Sequence, residues 1–209
     1  MRYEEYVRIV RWRLSRDNSI VGWIREEVDI EVDGFKLSNV FYGHSKYVGF
    51  WIKPISIIGI PFIYPYSAAA ILIKVDDLTH ELIERILNVI RKFVKLKRFK
   101  LLNGSEWGID VTLLSITTHN LKPYLKDYIR DFIDSEIKDQ YMEYLGVLES
   151  VNKKIGVVVV DLNSRHIYRP LNKISKAAAY LLNPRLKITE KIAWFFSSRR
   201  SRYLIQHHT

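Results

Sequence analysis

Three strand-like segments constrain the fold of this chain most strongly: Ala68–Val75, Ile109–Ile116 and Ile155–Val160. The last is mostly β-branched, which is typical of a strand buried on both faces. Two segments with helical spacing of apolar residues lie between them, Leu78 to about Val94 and Tyr124–Leu145. Helices inserted between strands predict an α+β fold with a mixed or antiparallel central sheet flanked by helices.

The N-terminal part of the chain predicts a helix followed by a hairpin. Apolar residues recur at helical intervals over Tyr3–Leu14. The alternation in Val28–Val32 stops at Asp33-Gly34 and resumes over Phe35–Phe41, and Asp-Gly tolerates the positive φ angles of a tight turn. A further strand is expected over Tyr47–Ile52.

Two more expectations concern the middle of the chain. The turn residues Asn103-Gly104-Ser105 separate Phe99–Leu102 from Ile109–Ile116, which predicts that these two strands form a hairpin. Asp77 precedes the helix expected to begin at Leu78 and is well placed to cap it.

We expect one main domain over residues 1–182 and a basic C-terminal helix within 183–209. Asn183-Pro184 closes the apolar stretch Ala177–Leu182, and the final helix is expected from about Ile188 to Leu204. A chain of 209 residues with 48% apolar residues is long enough to bury one substantial core.

Composition excludes several classes of protein. Cysteine is absent, which rules out disulfides, thiolate metal sites and a cysteine nucleophile. The longest apolar run, Ile55–Ile73, is interrupted by Pro61 and Pro65, so no membrane partner is expected. The charged opening segment does not resemble a signal peptide, and we expect a cytoplasmic protein. The scarcity of Gln and Met beside abundant Ile, Lys and Tyr favours a hot environment.

The net charge of +10 is concentrated at the C-terminal end of the chain. Residues 162–209 contain ten Lys or Arg and one acid, Glu190. A second basic run, Arg85–Lys100, contains seven basic residues and no acid. Such asymmetry favours a polyanionic partner, and we expect single-stranded or primed DNA or RNA, although a solvated basic face is the simpler alternative.

Three acids adjoin the strand-like segments: Asp76, Asp110 and Asp161. Carboxylates that converge at strand ends can hold Mg²⁺ or Mn²⁺ for phosphoryl chemistry, so all three are candidate catalytic residues, and Asp76 and Asp161 are candidate metal ligands. The alternative is that each acid caps the turn or helix that follows its strand.

The segment after Asp161 is rich in phosphate-binding side chains. Arg presents a two-pronged donor that matches phosphate oxygens, and Lys adds further donors. An ordinary exposed basic loop is the alternative. Together with cations of the final helix, the candidate phosphate-binding residues are Arg165, His166, Arg169, Lys173, Lys176, Arg199, Arg200 and Arg202.

These motifs together resemble, distantly, those of the archaeo-eukaryotic primase and primase-polymerase superfamily, over about residues 68–182. In that family one strand carries two acids separated by one residue, a glycine-bearing hairpin follows, and a third strand ends in Asp before a basic Arg-x-Pro loop. Here the matches are Ala70–Asp76, the hairpin Asn103–Asp110, and Asp161 with Arg169-Pro170. The resemblance implies a role in DNA replication or processing and a second replication subunit as partner.

The sequence departs from the family at two positions. Lys74 occupies the place of the first acid, and Asp110 stands where the family has a nucleotide-binding His. An ammonium group in a metal site repels divalent ions. The resemblance therefore implies a catalytically degenerate relative, with weak or no polymerase activity.

Two other functions remain open at this point. Trp107–Val111 resembles the first acidic strand of ribonuclease-H-like enzymes, with Glu149 and Asp161 as further ligands of a metal-dependent nuclease. Alternatively, the basic tail with Trp194 and Tyr203 binds single strands without catalysis.

Overall fold

The computed structural model describes residues 1–16, 21–45, 67–97, 99–100, 106–109, 111–131, 154–171, 173–191 and 193–194. In chain order the elements are α1 (Tyr3–Arg16), β1 (Val21–Val32), β2 (Phe35–Ser45), β3 (Ser67–Lys74), α2 (His80–Leu96), β4 (Phe99–Lys100), β5 (Glu106–Trp107), β6 (Val111–Thr118), α3 (helical over 124–131), β7 (Lys154–Asp161), β8 (His166–Tyr168) and α4 (Lys173–Leu181). The fold is α+β, as predicted.

Six of these strands form one mixed open sheet in the order β1-β2-β3-β6-β7-β8. The three central strands β3, β6 and β7 are parallel to one another. The β1–β2 hairpin continues the sheet antiparallel on one side, and β8 does so on the other. Parallel neighbours need a crossover, which α2 and α3 provide along the chain.

The predicted N-terminal hairpin is confirmed. Asp33 and Gly34 connect β1 to β2 with φ angles of 49° and 68°. Two consecutive positive φ angles are typical of the turn whose twist matches that of the flanking strands. The expected strand Tyr47–Ile52 lies outside the described residues.

The expected hairpin between Phe99–Leu102 and Ile109–Ile116 is wrong. β4 pairs instead with the two-residue strand β5, in a separate small sheet. β6 is buried along most of its length and pairs with β3 and β7. Burial on both faces of the main sheet explains why this apolar segment lies in the centre of the fold.

Alternating residues of the central strands bury against helices on the two faces of the sheet. Ile71, Ile73 and Val159 pack on one face with α2 and α3. Leu72 and Val158 pack on the other face with α1 and α4. Each fully buried aliphatic side chain contributes about 1.5–3 kcal/mol, so the central strands supply much of the stability.

Tyr6 fixes α1 on its face of the sheet. Its side chain is completely buried, and its hydroxyl lies 2.8 Å from Ser115 Oγ of β6 and donates to the backbone oxygen of Leu182 at 2.8 Å. Burial raises the pKa of Tyr6, so the phenol stays neutral and can donate. The hydroxyl thus joins α1, the sheet and the end of α4.

The start of α2 differs from the expected one, and the expected C-terminal helix is described only in part. α2 is capped by Thr79, whose side chain accepts a hydrogen bond from the Leu82 N–H, and not by Asp77, which pairs with Lys122 at 2.9 Å. Residues 188–191 and 193–194 are helical. The rest of the expected basic C-terminal helix lies outside the described residues.

In the described parts of the chain, no helix has the length and apolar character that a membrane crossing requires.

Candidate nucleic-acid interface

The strands next to the three candidate acids are neighbours in the sheet. Asp76 follows the end of β3 and is exposed, and Asp161 is the last residue of β7. β6 lies between these strands, so the ends of β3 and β7 are separated by two inter-strand spacings, about 10 Å.

Asp110 lies outside the described residues. It precedes β6, which starts at Val111 opposite Ala68 of β3 and Lys154 of β7. Asp76 and Asp161 instead follow the carboxyl ends of the parallel strands. The edge where β6 starts is therefore opposite the edge where β3 and β7 end.

The carboxylate of Asp161 holds the turn that follows its own strand. Oδ1 accepts hydrogen bonds from the backbone N–H groups of Asn163 at 2.9 Å and Ser164 at 3.3 Å. Oδ2 accepts one from the Ser164 hydroxyl at 2.8 Å. This geometry fits the capping alternative, and a metal ion at Asp161 would compete with three hydrogen bonds.

The carboxyl edge of the parallel strands offers few metal ligands. Across the described ranges, no three His, Asp or Glu side chains are grouped closely enough to hold a metal ion. Lys74, the last residue of β3, is exposed two residues before Asp76. The strand order never reverses along the chain in the described part of the sheet, so this part has no topological switch point, where such sheets usually bind ligands.

Exposed basic residues collect at the β8 side of the sheet. We define the basic edge as the β7–β8 turn and the segment after α4, together with Lys176 of α4 itself. Its residues are Arg165, His166, Lys176, Arg185 and Lys187, all of them exposed. Within the described residues, none of its Lys or Arg side chains forms an ion pair with an acid.

Arg185 joins the two parts of the basic edge. Its guanidinium donates to the backbone oxygen of Ser164 at 3.2 Å and lies 3.3 Å from each ring nitrogen of His166. The segment after α4 therefore lies against the β7–β8 turn, in which Arg165 has a φ of 55°. Two basic stretches separated in sequence become one surface.

A buried arginine holds the segment after α4 in place. Arg13 of α1 is only 6% exposed. Its guanidinium donates to the backbone oxygens of Leu181 at 3.1 Å, Asn183 at 2.6 Å and Arg185 at 3.1 Å. Leu181 is the last residue of α4, whose final carbonyls have no partner within the helix, and Asn183 and Arg185 lie beyond it.

Glu190 completes this support. Its carboxylate pairs with Arg13 at 3.1 Å and accepts the Lys187 N–H at 2.7 Å. Burial tends to raise the pKa of Glu190, but the hydrogen bonds from Arg13 and Lys187 outweigh it and hold the pKa below its ordinary value. Asp161 and Glu190 are the two acidic residues in the sequence 154–191. Both carboxylates accept hydrogen bonds from the backbone of the turn or segment next to them.

Several cations at the other side of the sheet are paired with acids. Arg11 pairs with Glu26 at 2.7 Å, Lys36 with Asp29 at 3.0 Å, and Lys92 with Asp33 at 2.7 Å. The pKa of Glu27 is also lowered, because hydrogen bonds from Lys97 and Tyr42 outweigh the effect of burial. Arg11, Lys36 and Lys92 thus each have an acidic partner, unlike the Lys and Arg side chains of the basic edge.

The other predicted phosphate-binding residues have different settings. Arg169 is half-buried and donates to the backbone oxygen of Pro170 at 2.9 Å. Lys173 begins α4, and its side chain lies outside the description. The remaining three, Arg199, Arg200 and Arg202, lie outside the described residues.

Sequence reasoning did not single out Arg185 or Lys187 as site residues. Both belong to the basic C-terminal run, and Arg185 directly follows Asn183-Pro184. The run was visible in the sequence, but the contact of Arg185 with the β7–β8 turn depends on the tertiary fold.

Comparison with known proteins adds no assignment. No protein-family model matches the chain, and neither a curated protein nor a solved structure matches it. The resemblance to primases therefore rests on the sequence motifs alone.

Proposed function

We propose that this chain is a nucleic-acid-binding protein that holds the phosphate backbone on its basic edge and has weak or no polymerase activity. The observation that carries the proposal is a difference in charge pairing: the Lys and Arg side chains of the basic edge have no acidic partner among the described residues, whereas Arg11, Lys36 and Lys92 at the β1–β2 side are paired. Its action in DNA replication or processing, with a second replication subunit, in the cytoplasm, is the part of the proposal that rests on the sequence alone.

Unpaired cations on a surface favour a polyanion for two reasons. Each contact with a phosphate releases a condensed counterion from the nucleic acid, which drives binding. A cation already paired with a carboxylate must first lose that partner, so it contributes less. Arg185 and Lys187 are exposed and can bind phosphate directly. Lys36 and Lys92 would first have to lose their carboxylate partners.

The settings of the acids support binding more than catalysis. Two-metal phosphoryl transfer needs carboxylates that gather around the ions. Asp161 is engaged by its own turn, and Lys74 stands near Asp76. The candidate ligands for Mg²⁺ or Mn²⁺ are Asp76 and Asp161, and β6 lies between the two strands at whose ends they lie.

The proposal predicts that neutralising the basic edge weakens binding. The double variant Arg185→Gln with Lys187→Gln should bind a fluorescently labelled oligonucleotide about tenfold to a hundredfold less tightly, because charge-assisted hydrogen bonds to phosphate are lost. The matched control, Lys36→Gln with Lys92→Gln, removes the same charge from the β1–β2 side and should bind within about twofold of wild type. Equal losses in both double variants would show that only net charge matters and would contradict the proposed surface.

Primer extension in Mg²⁺ or Mn²⁺ tests the second half of the proposal. Wild-type protein should extend a primer weakly or not at all, while it still binds the primed template. Extension by wild type that disappears in Asp76→Ala would overturn the inactive assignment and make the chain a working polymerase.

A further inference from the structure

Tyr180 presents an aromatic ring next to the basic edge. It lies on α4, which buries Ser175 and Ala178 toward the sheet and leaves Tyr180 59% exposed. The ammonium group of Lys187 lies 5.3 Å from the centre of its ring. Lys176, one helical turn earlier, is exposed and shares this face of α4.

A continuous series of contacts connects this ring with the β7–β8 turn. Lys187 lies over Tyr180, and Arg185, two residues earlier, contacts Ser164 and His166. A phosphate backbone bound along the basic edge therefore passes beside the ring of Tyr180.

We propose that Tyr180 is a stacking platform for an unpaired base, so that the basic edge binds single-stranded nucleic acid in preference to duplex. This inference rests on the proposed function. In a duplex the base faces are covered by their neighbours, and an aromatic side chain on a phosphate-binding surface finds no ring to contact. In a single strand the base faces are free, and stacking on an aromatic side chain strengthens binding with little dependence on sequence.

Exposure alone does not make a tyrosine a stacking platform. Tyr124 is exposed to a similar degree but has different surroundings. Tyr124 is 55% exposed at the start of α3. The centre of its ring lies 5.4 Å from that of His80, with the two rings nearly perpendicular, and the nearby cation Lys122 is paired with Asp77. Tyr124 thus matches Tyr180 in exposure and lacks its cationic setting.

Substitution of the two tyrosines tests the inference. Binding of labelled single-stranded and duplex oligonucleotides of the same sequence would be measured by fluorescence anisotropy. Tyr180→Ser should lower the single-strand affinity about 5- to 100-fold, which corresponds to the loss of one stacked base, and leave duplex affinity unchanged. Tyr180→Phe should bind like wild type because it retains the ring, and Tyr124→Ser should have no effect.

The outcomes separate the inference from the function beneath it. Equal loss on single strands and duplex, or no loss in Tyr180→Ser while wild type binds well, overturns the stacking role and leaves the proposed function standing. Failure of wild type to bind either oligonucleotide overturns the proposed function itself. Circular dichroism of each variant checks that the fold is unchanged.

Discussion

At the scale of single residues, Arg13 is the side chain on which distant parts of the chain depend. It is nearly buried, and its guanidinium bonds to three backbone carbonyls and one carboxylate. A buried cation is tolerated only when its donors are satisfied. Because these partners belong to the segment that carries Arg185 and Lys187, Arg13 is a positioning residue for the basic edge.

Removing the carboxylate of Glu190 should destabilise the protein. Glu190→Gln leaves Arg13 buried without its counter-ion, and we expect a loss of about 1–3 kcal/mol in the free energy of unfolding at neutral pH. Urea denaturation measures this loss. Glu31→Gln, at an exposed position on β1, is the control and should change stability by less than about 0.5 kcal/mol.

The effect of Glu190→Gln should depend on pH in one direction. The folded pKa of Glu190 lies below its ordinary value of 4.5, so the carboxylate stabilises the fold above that pH. As the pH falls through the folded pKa the carboxylate is protonated, and the difference in stability between wild type and Glu190→Gln should shrink. A difference that stays constant or grows in acid would contradict this role.

At the scale of elements, the β7–β8 hairpin combines a structural acid with a basic surface. Asp161 organises its turn by three hydrogen bonds, and His166 pairs with it across the hairpin. The same hairpin presents Arg165 to solvent. Asp161 thus supports the basic edge as a turn-forming residue.

Substitutions of Asp161 can separate this structural role from a catalytic one. Asp161→Ala removes all three turn hydrogen bonds and should lower the free energy of unfolding by about 1–2 kcal/mol. Asp161→Asn keeps an acceptor oxygen for the backbone N–H groups and should lose less. Thermal unfolding ranks the two variants. The turn-forming role predicts that Asp161→Asn binds nucleic acid as well as wild type, and a large loss of binding in that variant would contradict it.

Local sequence patterns were sufficient to predict the elements whose structure depends mainly on residues that are neighbours in the sequence. The alternation around Asp33-Gly34 predicted the β1–β2 hairpin, and the apolar run Ile155–Val160 predicted a buried strand. The partner of Phe99–Lys100 could not be predicted because strand pairing depends on which segments the core buries. Local spacing also could not choose between Asp77 and Thr79 as the cap of α2, since both carry suitable oxygens.

The candidate site was predictable only in part for the same reason. Composition showed that the last quarter of the chain is basic. It could not show that Arg13, about 170 residues away in sequence, would hold that segment, because such a contact has no local signature. Nor could it show whether Asp161 would point to a shared site or cap its own turn, since both readings place an acid at a strand end.

At the scale of the whole molecule, the sheet separates two electrostatic environments. The β1–β2 side holds the ion pairs of Arg11, Lys36 and Lys92, and the basic edge at the β8 side holds cations without an acidic partner among the described residues. The pairs on the first side are exposed and contribute little to stability. Because their charge is already balanced, these paired cations add little to the attraction of a polyanion, whereas the unpaired cations of the basic edge can attract one.

The most direct test of this account is the affinity of the wild-type protein for a single-stranded oligonucleotide, measured across a series of salt concentrations. The account predicts tight binding at low salt and a linear fall of the logarithm of the association constant with the logarithm of salt concentration. Each neutralised phosphate contributes about 0.7 to that slope, so a basic edge that engages roughly three to five phosphates gives a slope of about −2 to −4. Affinity that is absent at low salt, or that stays constant as salt rises, would contradict the central claim.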